Sequence, residues 1–435
     1  MRIAVVGSGI SGLASAWLLS TEHAVTLFEA GDHFGGHTHT HEVHCGGRRY
    51  HIDSGFIVFN HAHYPLLTRL FAELNVATQP AGMSFSVRNE ATGLEYNATR
   101  LGTLFCQRRN LVSPRFLGML RDLLRFYREA PALLSAPAPG PTLGEYLSAA
   151  GYGAAFRDEH LVPMAAALWS APPGAVLGFP AQFVARFMAN HGMLTLRGRP
   201  EWRAVCGGSA SYVRALRARW RVSERLACPV HRVRRDPAGV TLESAAGSER
   251  FDQVVLACHS DQALALLQDP SDAEREVLGA IAYQKNEVLL HTDTAVLPRN
   301  RRAWAAWNAL VPREAGEACR VSYCMNLLQG IASPETFIVT LNGADRVRPE
   351  TVLRRMVYAH PLYSPGAVAA RQRRAELQGR RRTWYAGAYW GWGFHEDGLH
   401  SAVEVCRALG IAWDGAPREA PPHEPLPLAA RGLAT

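Results

Sequence analysis

The sequence is poor in several features that mark particular classes of protein. Lys285 is its only lysine, so 45 of its 46 basic residues are arginines. Its eight cysteines include no C-x-x-C pair and no spacing typical of metal ligands, which predicts reduced cytosolic thiols and no bound metal. No run of about 18 apolar residues is present, so we expect no membrane-spanning helix. The apolar N-terminal run has no basic segment before it, so a secretory signal is not expected either.

The bulk composition limits the kind of protein. Of the 435 residues, 48% are apolar and 19% are charged, which is typical of a globular protein, and the length favours two domains. The formal net charge is +8. A basic surface suits nucleic acid, anionic lipid or an acidic substrate, but the sequence contains no nucleic-acid-binding motif. We therefore expect no nucleic-acid partner, and contact with lipid or simple solubility is the better interpretation of the charge.

The glycine-rich stretch near the N-terminus is the most specific motif. An apolar run from Ile3 to Val6 predicts a buried strand, and it leads directly into G-S-G-I-S-G and a helix-forming segment. Gly7 allows a tight turn, Gly9 a close approach of the backbone to a pyrophosphate, and Gly12 close packing of helix on strand. Free N–H groups at the start of the helix suit phosphates. The pattern predicts a dinucleotide site that includes Gly7, Gly9, Ile10, Ser11 and Gly12.

An acidic residue follows these glycines at the expected spacing. The predicted strand 24–28 ends at Glu29, about 20 residues beyond the glycines, where a carboxylate can accept hydrogen bonds from ribose hydroxyls. An acid at this position disfavours the 2′-phosphate of NADP. Glu29 and Ala30 are followed by G-D-H-F-G-G-H-T. This segment resembles the E-A-x(4)-G-G-R/K signature of the superfamily of flavin-containing amine oxidases, protoporphyrinogen oxidases and phytoene desaturases.

The resemblance implies that the cofactor is FAD. By this resemblance Gly35, Gly36, His37 and Thr38 lie along the FAD diphosphate. His37 stands where the family usually has arginine or lysine, so a cation is present there only if His37 is protonated. From His37 to His44 the sequence alternates with period two, which predicts a strand. Its histidine row could bind a metal, but polar residues beside the diphosphate are the simpler interpretation.

Three later segments also resemble the family and extend the predicted FAD site. Gly55 and Phe56, in a D-x-G segment, would line the flavin ring, and Val230 lies in a V-x-x-V strand that contacts adenine in the family. The resemblance also assigns flavin contacts to a C-terminal strand, loop and helix start: Gly387, His395, Asp397, Gly398 and Leu399. The acid that often follows the family's A-G motif is replaced by Ala388, so either Asp397 or Glu396 takes over that contact or the contact is lost. No cysteine precedes this strand where flavinylated relatives attach FAD, so non-covalent binding is expected.

Lys285 is the candidate catalytic residue. It lies in a predicted strand from 281 to 291 and aligns with a lysine that in amine oxidases holds a water against flavin N5. A partly desolvated lysine beside a flavin would have a lowered pKa. The alternative is a solvent-facing strand residue.

The fold class expected from these segments is α/β. It comprises a discontinuous FAD-binding Rossmann-like domain with an inserted α+β substrate domain. The FAD-binding domain is predicted to comprise 1–62, 204–266 and 355–415, and the substrate domain 63–203 and 267–354. The Pro- and Ala-rich segment 416–435 is predicted to be a flexible tail.

The predicted substrate domain contains two apolar features. A helix over 115–134 has apolar residues at helical spacing on one side and arginines on the other. With the arginines before it, the segment 108–128 could lie on a membrane surface, although such a helix is more often a surface helix packed on a core. The apolar segment 161–187 is interrupted by prolines, which favours short buried helices that could line an apolar cavity.

The predicted activity is two-electron oxidation of a C–H bond by an FAD-dependent oxidoreductase. The chain is similar to a bacterial branch described only as NAD/FAD-binding or amine-oxidase-like proteins, whose members tend to be associated with enzymes that modify membrane acyl chains. An apolar or lipid substrate, with desaturation of an acyl chain or isoprenoid, is therefore the first hypothesis. Oxidation of an amine is the second, and a non-catalytic FAD-binding accessory subunit is the third. The expected location is the cytoplasm, with possible contact with the inner membrane face.

Overall fold

The computed structural model describes residues 1–135, 140–314 and 319–413, and the predicted tail at 416–435 lies outside them. The strands of the described residues are, in chain order, β1 Arg2–Val6, β2 Ala24–Phe28, β3 Thr40–Cys45, β4 Arg48–Asp53, β5 Val58–Asn60, β6 Thr78–Pro80, β7 Phe85–Asn89, β8 Glu95–Asn97, β9 Trp202–Val205, β10 Val222–Arg225, β11 Val230–Asp236, β12 Gly239–Ser244, β13 Gly247–Phe251, β14 Gln253–Leu256, β15 Tyr283–His291, β16 Trp307–Val311, β17 Arg320–Cys324, β18 Ile338–Leu341, β19 Val352–Pro361 and β20 Thr383–Tyr385.

The helices of the same residues are α1 Ile10–Leu19, α2 Pro65–Leu74, α3 Leu101–Leu104, α4 Pro114–Glu129, α5 Leu143–Ala149, α6 Ala154–Phe156, α7 Val162–Trp169, α8 Pro173–Leu177, α9 Ala181–Asn190, α10 Ala210–Arg217, α11 Ser260–Leu266, α12 Asp272–Gly279, α13 Met325–Leu328, α14 Pro365–Gln372 and α15 His395–Ala408. A π-helical turn, Arg157–Leu161, joins α6 to α7. No helix of the described residues is long and apolar enough to cross a membrane.

A parallel sheet carries the glycine-rich motif. Its strand order is β10-β2-β1-β14-β20, and every neighbouring pair is parallel. The apolar residues of β1 are buried, as strands covered on both faces require. Helix α1 follows β1 directly and packs against α15. This Rossmann-like arrangement confirms the predicted α/β fold class.

A second, mainly antiparallel sheet has the strand order β19-β15-β18-β17-β16-β7-β8, with β16 and β7 parallel. β7 and β8 form an antiparallel hairpin at one edge of this sheet. β19 pairs with β15 along its whole length, from Val352 opposite His291 to Pro361 opposite Tyr283. The predicted domain boundary at 355 therefore falls inside one strand of this sheet. The division into domains stays a prediction.

Short helices cover one side of this second sheet. The proline-interrupted segment forms α7, α8 and α9, as its prolines predicted. Their apolar side chains form one core with the buried face of α4, including Phe116, Met119 and Phe126. The helix predicted over 115–134 ends as an α-helix at Glu129 and continues as a 3₁₀ segment, Ala130–Ser135.

The strand predicted from His37 to His44 begins only at Thr40. Gly35 and Gly36 have φ values of 133° and 57°, and the Thr38 N–H donates to the Gly35 carbonyl over 3.0 Å. The chain therefore turns at His37 instead of extending, and of the predicted row only His41 and His44 lie in β3.

Candidate functional site

The three glycines of the first motif differ in what surrounds them. Gly7 has a φ of 99° in the turn between β1 and α1, and its N–H donates to the Phe28 carbonyl over 2.8 Å, which continues the pairing of β1 with β2. A Cβ at Gly12 would overlap the Gly7 carbonyl oxygen, so helix and turn are in direct contact there. A Cβ at Gly9 would meet no protein atom within 4 Å, and Gly9 lines a large cavity. Helix α1 begins at Ile10, so its free N–H groups lie at this cavity wall.

Glu29 is fixed beside this turn. One of its carboxylate oxygens accepts from the Ser8 N–H at 2.9 Å and from the Ser8 hydroxyl at 2.6 Å. The other oxygen accepts from the Gly31 N–H at 2.7 Å. Glu29 and Ala30 line the cavity. The carboxylate is thus oriented by three donors and still has lone pairs for hydroxyl donors of a ligand.

The second pair of glycines lies on the first turn. The Gly35 N–H donates to the Ser8 carbonyl over 3.0 Å, and a Cβ at Gly36 would lie 3.1 Å from the Gly9 Cα. The two glycine segments, 7–12 and 35–36, therefore form one continuous wall although they are separate in sequence.

His37 follows directly and points into a group of rings. Its ring centroid lies 4.9 Å from that of Tyr358, 5.2 Å from that of His360 and 6.2 Å from that of His259. Burial, followed by the proximity of the other histidines, holds the pKa of His37 well below its ordinary value. His37 is therefore neutral near pH 7 and does not replace the family's cation in this state. Its Nε2 is buried without a hydrogen-bond partner among the described residues.

Phe56 and His395 form a ring pair at the middle of the cavity wall. Their centroids are 3.7 Å apart and the rings are stacked. The Phe56 N–H donates to the His37 carbonyl over 2.7 Å, and Gly55 packs so closely on the same carbonyl that a Cβ would overlap it. His395 Nε2 lies 3.0 Å from the Thr38 hydroxyl. Burial lowers the pKa of His395 to about 3, so this ring is also neutral.

The C-terminal residues predicted to contact the flavin separate into two groups. Gly387 and His395 line the cavity. Gly398 instead packs α15 on α1, since a Cβ there would lie 2.7 Å from Ile10 Cγ2, and Leu399 is fully buried in the core. Neither of these two lines the cavity, nor do Gly12 and Thr38.

The two acids at the start of α15 also serve the fold. Asp397 accepts from the Phe394 N–H over 2.9 Å and so caps its own helix. Glu396 accepts from the N–H groups of Leu66 and Leu67 at 2.8 and 3.0 Å, and so caps α2. Neither lines the cavity. The expected replacement of the missing acid after the A-G motif is therefore not found at either residue.

Lys285 is not brought to the site. Its side chain is exposed and it is absent from the cavity wall. Tyr283, two residues earlier on β15, lines the cavity and stacks on His259 with centroids 4.4 Å apart. Of the two interpretations of Lys285, the structure favours the solvent-facing strand residue.

The cavity has a volume of about 1180 Å³ and extends well beyond the glycine turns. Its nucleotide end is formed by the glycine segments, Glu29 and Val230. A second branch, which we call the apolar branch, runs between the helices and the second sheet. It is lined by Leu123, Met164, Leu168, Phe187, Trp307 and Tyr323. The glycine motif and Glu29 of the nucleotide end were predicted from the sequence, whereas Met164, Leu168 and Phe187 lie in the segment 161–187, which was predicted only to form short apolar helices that could line a cavity. The described residues contain no cluster of histidines, cysteines or acids that could hold a metal ion.

A comparison with models of protein families identifies the family of this chain. The family model described as flavin-containing amine oxidoreductase matches residues 10–322. The chain belongs to this family. As a member of the flavin-containing amine oxidoreductases it is an FAD-dependent oxidoreductase. No curated protein matches the sequence.

Solved structures of the same fold include several enzymes. A putative protoporphyrinogen oxidase from Exiguobacterium sp. 255-15 is 18% identical, with a TM-score of 0.68 over 94% of this chain and 98% of the other. Cyclohexylamine oxidase from Brevibacterium oxydans IH-35A is 17% identical, with a TM-score of 0.67 over 94% and 99%. A fatty acid isomerase from P. acnes is 19% identical, with a TM-score of 0.65 over 93% and 98%. At these identities the likeness shows the fold.

The residues of the nucleotide end fit the flavin dinucleotide of this family. The open space at Gly9, the N-terminus of α1 and the oriented carboxylate of Glu29 suit a pyrophosphate and a ribose. Two buried polar atoms of the wall, His37 Nε2 and the Tyr389 hydroxyl, have no partner among the described residues. Such atoms are costly unless a ligand pairs with them.

Proposed function

We propose that this flavoenzyme oxidises a C–H bond of an apolar substrate, an acyl chain or an isoprenoid, with FAD held non-covalently. The observation that carries the proposal is the apolar branch, which is continuous with the nucleotide end in one cavity. Flavin supplies the hydride acceptor when it is bound. The protein orients the apolar chain of the substrate and excludes water, because the residues that line the apolar branch are mainly apolar.

Two histidines of the cavity wall, His360 and His395, are neutral. Their state is consistent with a hydride transfer that needs no charged base from the protein. Burial lowers the pKa of His360 to about 4 and that of His395 to about 3. Both rings are neutral near pH 7 and can accept or donate hydrogen bonds without adding charge beside an apolar chain.

Amine oxidation is the second candidate, since cyclohexylamine oxidase and putrescine oxidase share the fold. An ammonium group entering a cavity needs a carboxylate or an aromatic cage. Among the described residues the carboxylates of the wall are Glu29 and Glu201. Glu29 is held by Ser8 and Gly31, and Glu201 is paired with Arg203 over 2.8 Å. This engagement of both acids favours the apolar substrate.

Non-covalent attachment is supported by the state of a wall cysteine. Burial raises the pKa of Cys258 to about 12, so its sulfur remains a thiol, and the thiolate is the reactive form. Acid precipitation is expected to release all of the flavin into the supernatant.

We also propose contact with a membrane surface through 108–128. Leu111, Val112, Leu117 and Leu124 are exposed by 54%, 79%, 43% and 52%. They lie among arginines of the same segment, which suits an anionic lipid surface. On another side of α4, Leu123 lines the cavity, so one helix carries both the exposed leucines and part of the apolar branch.

The pH dependence of FAD affinity tests the role of His37. The diphosphate would raise the pKa of His37, which burial and, after it, the histidines 360, 259 and 395 lower in its absence. Binding would then take up a proton, so affinity should rise as pH falls from 8 to 6, by up to about tenfold per pH unit. Calorimetric titration of apoprotein with FAD measures this. His37→Gln should flatten the profile, whereas His44→Gln, at an exposed site, should keep it.

Anaerobic reduction of the flavin tests the proposed function. Purified holoenzyme is mixed under nitrogen with a membrane lipid extract or with a panel of primary amines, and bleaching of the oxidised flavin band is followed. We expect bleaching with lipid and none with amines. Bleaching by amines alone would establish the second candidate. A bound flavin that neither class reduces would favour a non-catalytic accessory subunit.

A further inference from the structure

Exposed apolar side chains are concentrated around the helices that cover the apolar branch. Ten large apolar side chains of the described residues are exposed. Six of them belong to α4, to the segment 101–112 before it, or to the loop 191–201 that joins α9 to β9. These six are Leu101, Leu111, Val112, Leu117, Leu124 and Leu196. Single exposed leucines are ordinary, whereas a concentration of them marks an interaction surface.

Leu196 lies at an opening of the cavity. It is 67% exposed and also lines the cavity, which the other five of these described side chains do not. A side chain that lines a cavity while it is exposed to solvent lies where the cavity reaches the surface. Arg199 of the same loop is exposed, lines the cavity, and donates from its Nη2 to the Tyr127 hydroxyl over 3.3 Å. Tyr127 and Leu123 line the cavity from α4. We call this opening, formed by Leu123, Tyr127, Leu196 and Arg199, the mouth.

The apolar surface of α4 is continuous from its exposed leucines to the mouth. Leu117 and Leu124 are seven residues apart and so lie on the same side of the helix. Leu123 and Tyr127, four residues apart, lie on the side that lines the cavity. Leu120 lies between these two sides, because it is four residues from Leu124 and seven from Tyr127. One apolar strip of α4 therefore connects the exposed leucines with the mouth.

The charges around the mouth are mainly positive. The helix α4 and the loop 191–201 together contain six arginines and three acids, and one of the acids, Asp122, is buried. The side chain of Arg121 is 81% exposed. Arg197 is exposed, and no carboxylate of the described residues pairs with it or with Arg199. Cations at the border of an exposed apolar surface match the anionic head groups that border the acyl layer of a membrane.

We propose that the mouth opens onto a bilayer that contains anionic lipids, and that the substrate enters the apolar branch directly from this bilayer. The inference rests on the proposed function and on the proposed membrane contact through 108–128. It deepens both, because it adds the loop 191–201 to the contact and assigns the mouth as the entrance. Leu196 and the exposed leucines of α4 enter the acyl layer, while Arg197 and Arg199 pair with lipid phosphates. A long apolar substrate then passes from one apolar environment to another without exposure to water.

A second copy of this chain matches the surface less well than a bilayer does. In a two-fold contact the same surface meets itself, so the arginines of α4 and of the loop would face their own copies. Like charges placed against each other oppose association. An anionic bilayer instead supplies the opposite charge and the apolar layer together.

Sedimentation of the holoenzyme with lipid vesicles tests the surface. We expect binding to vesicles of phosphatidylcholine mixed with phosphatidylglycerol, weaker binding to phosphatidylcholine alone, and loss of this difference at high salt. Leu196→Asp should weaken vesicle binding by about tenfold or more, because a leucine no longer enters the acyl layer. Since Leu196 is 67% exposed, this variant is expected to fold. Val357→Asp, on β19 at 66% exposure and outside the cavity wall, is the matched control and should bind as the wild type does.

Two results of this experiment would overturn the assignment of the bilayer. One is vesicle binding by Leu196→Asp at the wild-type affinity. The other is a dimer in solution that Leu196→Asp dissociates, with no vesicle binding by either protein, since a second copy of the chain would then occupy the surface.

Delivery of an apolar probe from the vesicles tests the mouth as the entrance. Bromododecane is dissolved in the vesicles, and its bromine quenches the fluorescence of the bound flavin once the probe has reached the cavity. Leu196→Trp keeps an apolar side chain at the surface but enlarges it at the mouth, so vesicle binding should persist while quenching slows severalfold. Val357→Trp should change neither. Quenching by Leu196→Trp at the wild-type rate would refute the mouth as the entrance.

The outcomes separate this inference from the proposed function. Vesicle binding and probe delivery that depend on Leu196, with no flavin reduction by any lipid, would refute the proposed oxidation and leave the mouth intact. Flavin reduction by lipid, with vesicle binding and probe delivery unaffected by the Leu196 variants, would support the proposed oxidation and refute the mouth alone.

Discussion

We expect a Gly9→Val variant to fold as the wild type does and to bind no FAD. A Cβ at Gly9 meets no protein atom within 4 Å, and the φ of −62° is accessible to valine. The added side chain therefore enters the space where the pyrophosphate would approach the backbone. The purified variant should be colourless and should show no saturable FAD binding, while its circular dichroism spectrum matches that of apo wild type.

Gly12 provides the contrasting variant in the same motif. A Cβ there would overlap the Gly7 carbonyl oxygen, so Gly12→Val should damage the packing of α1 on the turn and lower the stability of the apoprotein. FAD binding by Gly9→Val at the wild-type affinity would contradict the assignment of this turn to the pyrophosphate.

The second large effect is expected from Arg235→Leu, which removes half of a buried ion pair. Arg235 is 1% and Glu274 is 3% exposed, and two hydrogen bonds of 2.5 and 3.0 Å join them. Burial raises the pKa of Glu274, but hydrogen bonds from Arg235 and Tyr385 outweigh it and leave the pKa below its ordinary value. Without Arg235 the buried carboxylate loses its counter-charge and keeps only neutral hydrogen-bond donors, which costs about 3–5 kcal/mol.

This ion pair connects segments that are far apart in the chain. Arg235 lies on β11, Glu274 on α12, and the Tyr385 hydroxyl on β20 donates to Glu274 over 2.6 Å. Urea unfolding should show the lower stability of Arg235→Leu, and the double variant with Glu274→Leu should recover part of it. Arg250→Leu is the matched control, because its ion pair with Asp236 is 46% and 42% exposed and such pairs contribute about 0–1 kcal/mol. Equal effects of the two arginine variants would refute the argument.

The nucleotide end could be predicted because its determinants are local in sequence. The turn at Gly7, the open position at Gly9 and the acid at Glu29 follow one another within one strand–helix–strand unit. The fold class followed from the same unit and from the later segments that resemble the family, and β14 completes the parallel pairing on the other side of β1.

The rest of the site depends on contacts that no local pattern reveals. Tyr283 and His360 reach the wall through the pairing of β15 with β19, and their strands look like ordinary sheet strands in sequence. Glu396 caps α2 by accepting from Leu66, which lies 330 residues earlier in the chain, so its role could not be predicted from the start of its own helix.

The measurement that tests the account most directly is the flavin content of the purified wild-type protein. We predict the absorption spectrum of oxidised flavin, one FAD per chain, and complete release of that FAD into the supernatant after acid precipitation. A colourless protein that takes up no added FAD would contradict the central claim that the nucleotide end of the cavity binds FAD.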